Sequence, residues 1–273
     1  MQDKKKKNNK PQKVSKPFLR GKMIDRTLPG GALKFFGFLL LMAFVFFMSM
    51  LISTIDIKIL SIAVNVAILC TAWLIIWQSG MNSGADAVNQ GEIMLARREK
   101  GRPVADWEES LCYHPFKGLI IALVGSIPLI VCSVAYAFMA ERQMHIIGVL
   151  PSWVSGFESR PEIGGALQYY HPDTAFSIDV VLRIIARVTT MPIVSMVGAD
   201  NWDAVLIVDR LSPVLNLIPA IVYGVGYAMG TEQRAAVHTN VALGKQNLRK
   251  KQIKERRARQ RQQQTRRGPE ELN

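Results

Sequence analysis

The feature that most constrains this chain is the gathering of its apolar residues into uninterrupted runs of about 20, the length an α-helix needs to cross a ~30 Å hydrocarbon layer. Four such runs stand out, at 32–52, 57–77, 118–139 and 211–229. A fifth stretch, from Ile178 to Gly198, is long enough as well, but it carries Arg183, Arg187 and Pro192. A soluble domain can reach the same 49% hydrophobic content, but it rarely concentrates that content this way. The expected fold class is therefore all-α, a polytopic membrane protein.

The charge is gathered too. Formal net charge is +13, yet residues 1–34 hold 11 Lys/Arg against 2 acids and residues 231–273 hold 12 against 4. The high isoelectric point thus describes two basic ends and not a basic body. Lys, Asn, Gln and Pro dominate the first residues, so 1–31 is expected to be a disordered cytoplasmic N-terminus, too poor in apolar surface to offset the entropy of ordering. The following run exceeds the ~7–15 residues of a signal-peptide core and lacks a small-residue cleavage site, so an uncleaved first span is expected. The tail 231–273 reads as cytoplasmic, with an exposed helix from about Lys245 to Gln264 built from Arg, Lys, Gln and Glu.

Orientation follows from Lys and Arg near short cytoplasmic loops. A basic N-terminus places the first residues inside, and the spans at 32–52 and 57–77 form a hairpin that returns the chain to a cytoplasmic loop, 79–117, with five Lys/Arg. Within that loop Asp86 to Lys100 predicts a short amphipathic helix stopped by Gly101 and Pro103. The span at 118–139 then leads out to 140–206, which holds four Lys/Arg against seven acids and reads as an extracytoplasmic cap. If 178–198 crossed, the basic tail would end up outside. We therefore expect four transmembrane helices plus one interfacial amphipathic helix at 178–198. Asp179, Arg183 and Arg187, spaced four apart, would face water, and Val181, Ile184, Ile185 and Val188 would face lipid.

Candidate chemistry is sparse. No nucleotide, zinc-hydrolase or nucleophile motif is visible, so no catalytic residue, cofactor or metal ligand is assigned and an enzyme is not expected. Cys70, Cys112 and Cys132 read as small apolar fillers, and the four histidines show no ligand spacing. Gly224, Gly226 and Gly230 read as a helix-packing face, and Asn65 and Asn216 as amides bonding to neighbouring helices. Two groups remain. The first is an outer polar cluster of Asp179, Arg183, Arg187, Asp209 and Arg210. The second is the basic tail, where Arg249, Lys250, Lys251, Lys254, Arg256 and Arg257 are the candidate lipid or partner contacts.

Three functions fit these features. The favoured one is a non-enzymatic scaffold or accessory subunit of a membrane complex, contacting anionic lipid and a membrane protein partner. The others are a small transporter or channel with an outer charged entrance, and an insertion factor that binds the ribosome through its tail. A bacterial plasma membrane, with both termini cytoplasmic, is the expected location.

Overall fold

A computed structural model describes residues 14–49, 57–140, 178–198 and 201–266, and positions 157, 160 and 162 besides. Residues 1–13 and 267–273, and the rest of the expected outer cap between 141 and 177, lie outside the described residues. The described residues form helices and no strand: α1 (Leu28–Met48), α2 (Lys58–Glu99), α3 (Asp106–Glu109), α4 (Lys117–Met139), α5 (Ile178–Val197), α6 (Trp202–Ala228) and α7 (Gly230–Arg266). Five helices are long and apolar enough to cross a membrane: α1, α2, α4, α5 and the run that joins α6 to α7.

The bundle is built around α4 and α6, with α2 on the other side of α6 and α1 on α4. Phe35, Leu39, Ile76, Ile121, Ala122, Leu129, Ala220 and Tyr223 form its largest apolar cluster. The first two spans meet around Phe35, Leu39 and Ile76, but towards the other end α5 stands between α1 and α2. Met191 of α5 clusters with Met42 and Phe46 on one side and Leu69 and Ala72 on the other. The phenylalanines of α1 divide in the same way. Phe35 and Phe46 are buried, whereas Phe44 and Phe47 remain on the outer surface where lipid would lie.

The stretch from Ser79 to Ala85, between the expected span and the helix expected from Asp86, reads as a polar connection, yet α2 runs through both without interruption for 42 residues. The glycines explain this. Gly80, Gly84 and Gly91 fall on one face, and a β-carbon on Gly80 or Gly84 would strike the carbonyl of Tyr223 or Tyr227. On the facing chain, Gly226 lies against the Trp77 carbonyl and Gly230 against Gly84. Close backbone contact between helices outweighs the weak helix propensity of glycine, at about 1 kcal/mol each. The packing face expected at Gly226 and Gly230 is therefore present, and its partner is the segment that reads as a loop. The helix ends where expected, with Gly101 at φ +73° ahead of Pro103.

Residues 14–27 lie against the bundle, in contrast to the disorder expected there. Leu19 N–H donates to the Gly91 carbonyl at 3.1 Å and Gly21 N–H to the Tyr113 carbonyl at 3.0 Å. Phe18 packs edge-on to Tyr113, which stacks on Tyr227. Asp25 forms a buried 2.6 Å ion pair with Lys117 at the start of α4. These contacts are long-range, with no local periodicity to announce them.

At the opposite end, Gly198 takes φ +93° and Asn201 caps α6, so α5 turns directly into α6. Leu182 and Ala186 cluster with Tyr136, Ala140 and Leu206, and Val194 clusters with Val205 and Val208. Both halves of α5 therefore meet the same end of the bundle, where α4 finishes and α6 begins. The other end of the bundle gathers residues 14–27, the second half of α2, α3 and α7. Val14 N–H donates to Thr239 Oγ1 there, so the N-terminal and C-terminal segments emerge side by side.

Candidate functional site

The two arginines of the charged row of α5 do not face water, while Asp179 stays partly exposed. Arg183 is 5% exposed and Arg187 4%, and both point into the bundle together with Ala186, Thr190, Met191 and Val194. This overturns the outward orientation expected for the row. The reason is a partner 22 residues away. The Arg187 guanidinium donates from Nε and one terminal nitrogen to the two oxygens of Asp209, at 3.2 and 2.7 Å, and Asp209 is itself 1% exposed. An isolated buried carboxylate or guanidinium costs several kcal/mol, so burying the apolar side of α5 is compatible with these charges only when the two meet.

Tyr136 of α4 extends the pair by donating its hydroxyl to Asp209 Oδ2 at 3.1 Å, so three helices converge on one carboxylate. One to two turns deeper along α6, the Asn216 amide donates to Ser133 Oγ of α4 at 3.1 Å. That bond is the cross-helix role expected for this amide. Asn65 behaves otherwise and donates back to the Ser61 carbonyl of its own helix at 2.9 Å. Arg183 pairs with Asp179 one turn earlier at 3.0 Å, and its Nε is buried with no hydrogen-bond partner. Arg210 is exposed on the far side of α6 and does not join the cluster. The expected group thus divides into a buried Arg187–Asp209–Tyr136 unit, an adjoining Arg183–Asp179 pair and a separate Arg210. Tyr136 and Ser133 carry no sequence signal beyond being polar positions in an apolar run.

A second polar cluster, which the sequence does not reveal, ties α2 to α7 at the other end of the bundle. Glu92 accepts from Arg234 at 3.0 Å and lies 2.7 Å from His238 Nε2, and Gln233 donates to Asn82 at 2.9 Å. Burial alone would raise the Glu92 carboxyl, but its hydrogen bonds to Arg234 and His238 hold it below the usual glutamate range. The same balance lowers Asp25, where the bonds from Lys117 and Thr27 outweigh burial. Cys112 is fully buried, and burial pushes its thiol up, in keeping with a filler and not a reactive group.

The basic tail is helical well before Lys245, and residues 244–262, including Arg249, Lys250, Lys251, Lys254, Arg256 and Arg257, are all exposed. An open groove of about 640 Å³ runs along α2 from Thr71 to Asp86, beside Phe38 of α1, and shares no lining residue with the buried ion pair. Among the described residues no group of three or more His, Cys, Asp or Glu side chains is placed to hold a metal ion. The chain matches no protein-family model, no curated protein and no solved structure.

Proposed function

We propose that this chain is a non-enzymatic scaffold or accessory subunit of a membrane complex, crossing the membrane four times through α1, α2, α4 and α6. In this reading α5 lies within the outer half of the bundle without changing sides. The contact of both its halves with one end of the bundle, and the Val14–Thr239 bond at the other end, support that topology. Both termini are then cytoplasmic, on the basic side. The plasma membrane of a bacterium remains the proposed location.

The observation that carries the scaffold reading is where the polar chemistry is spent. Arg187, Asp209, Tyr136, Asn216 and Ser133 neutralise or bond one another inside the bundle, and the glycines lock α2 to α6. The surface left for interaction is a lipid-facing α1 rich in Phe and Leu, a basic border and a long helical extension. The border is Arg26 and Lys34, both exposed near the start of α1, where anionic headgroups would lie, with Lys16, Arg20 and Lys22 exposed further out.

Cross-linking in native membranes at native expression, followed by purification in mild detergent, tests this. The scaffold reading expects a membrane protein partner at fixed stoichiometry. A chain recovered alone, with only bulk lipid, would sink it.

A transporter or channel is a second reading, favoured by one observation. The buried Arg183 Nε has no hydrogen-bond partner and adjoins the ion pair, as an anion-binding group would. Flux of candidate anions through proteoliposomes, equal for the native chain and R183A, would remove it.

A further inference from the structure

We propose that α7 is a docking element for structured RNA, held off the membrane by the bundle. This goes beyond the scaffold reading, which assigns partners within the membrane only.

The first argument is distance. The hydrogen-bond ladder of α6 continues into α7: Met229 N–H donates to the Val225 carbonyl and Gln233 N–H to that of Met229. No proline interrupts α7. Its first turns are fastened to α2 through Glu92, Arg234 and His238, and α2 ends at Glu99, seven residues beyond Glu92. Beyond that level α7 extends past the end of α2 for about 20 residues, or ~30 Å at 1.5 Å per residue. The apolar part of α2 gives way to polar residues at Gln78, level with Tyr223 to Tyr227 of α6. Arg249 is therefore roughly 35 Å along the helix from that boundary, and about 25 Å above it even at a 45° tilt. The electrostatic reach of a membrane surface is ~8 Å at physiological salt. In this conformation the tail does not reach the lipid under its own bundle.

The second argument is shape. At 3.6 residues per turn, the seven basic residues from Arg249 to Arg259 leave no gap around the helix as wide as a quarter turn. A bilayer meets a helix from one side and leaves half of such charges unused. Val237, Val241 and Leu248 share one face, but beyond Leu248 the exposed Ile253 lies on another, so the basic stretch has no apolar stripe to enter lipid or to seat a partner helix. A folded RNA, in contrast, surrounds a helix with phosphates, and arginine matches them with two donors at once. Without interleaved aromatics the contact is to backbone and shape and not to bases.

The third argument is convergence. The chain enters the described region at Val14, hydrogen-bonded to Thr239 of α7. Lys16, Arg20 and Lys22, which follow Val14 at this end of the bundle, are exposed and add to its positive charge.

The test uses the full chain in nanodiscs of zwitterionic lipid at ~150 mM salt, with fluorescent transfer RNA as probe and anisotropy as readout. The comparison is the variant R249Q/K250Q/K251Q/R256Q/R257Q, whose thermal unfolding should match that of the native chain because all five positions are exposed. The proposal expects RNA affinity that falls linearly on a log–log salt plot, with a slope reduced by about 3–4 in the variant, and a loss of at least tenfold at constant salt. Equal binding by the two proteins would overturn it. So would a DNA duplex or polyglutamate binding as tightly as the RNA, or loss of RNA binding when phosphatidylglycerol is added to the nanodisc. None of these outcomes bears on whether a membrane protein partner co-purifies, so failure here and failure of the scaffold reading can be told apart.

Discussion

Asp209 sits where two charges and a phenol from three helices meet, and its value depends on all of them. Removing one partner of a buried ion pair leaves the other uncompensated, at roughly 3–5 kcal/mol, whereas an apolar replacement of both is often tolerated. We therefore expect D209N to lower the midpoint of thermal unfolding in detergent far more than the double change R187M/D209L. A double variant no better than D209N would show that the pair itself is not what the charge at Arg187 requires. Glu92 offers a second test at this scale. Its carboxyl is depressed in the folded state, so the stability it lends is present above the unfolded value of about 4.5 and is lost as pH falls through the folded value. Protection factors in residues 230–240, corrected for the intrinsic exchange rate at each pH, should fall on acidification from pH 5 to pH 3, and E92Q should show the lowered protection already at pH 7. Both sites illustrate what sequence can disclose about single residues. The four-residue spacing of Asp179, Arg183 and Arg187 is visible, and so is the helix that carries it. The face it turns inward is decided by Asp209 and Tyr136, which reach it only through tertiary packing.

At the scale of elements, apolar length was sufficient to find α1, α4 and the apolar halves of α2 and α6. Length cannot tell where a helix continues into polar sequence. Ser79 to Ala85 carries Gly80 and Gly84 and no apolar period, and it is helical because those glycines let α2 approach α6. The prediction that follows has an internal control. Gly84→Val should separate α2 from α6 and lower thermal stability sharply, because its side chain would meet the Tyr227 carbonyl and Gly230. Gly244→Ala, with nothing within 4 Å of the new carbon, should be neutral or stabilising by up to about 1 kcal/mol through helix propensity. Equal effects at the two positions would mean that the glycine contacts do not hold the helices together. The ordered path of residues 14–27 was illegible for a related reason: its hydrogen bonds go to Gly91, Tyr113 and Thr239, far away along the chain.

For the whole molecule, the charge distribution supplied a topology and the fold supplies its rationale. The buried arginines of α5 would speak for a fifth crossing if burial alone counted. Yet Leu182 and Ala186 meet the end of α4, and Val194 meets the start of α6, which is what the proposed non-crossing α5 requires. The two basic segments sit at the other end of the bundle. The account rests on their sharing one side of the membrane, and cysteine accessibility measures this directly. In a background with Cys70, Cys112 and Cys132 replaced, single cysteines at Val14 and at Ala258 would be exposed to a membrane-impermeant maleimide in intact cells and again after permeabilisation. Both should stay unlabelled until the membrane is opened. Labelling of the Ala258→Cys protein in intact cells, with V14C still protected, would require a fifth crossing and contradict the account.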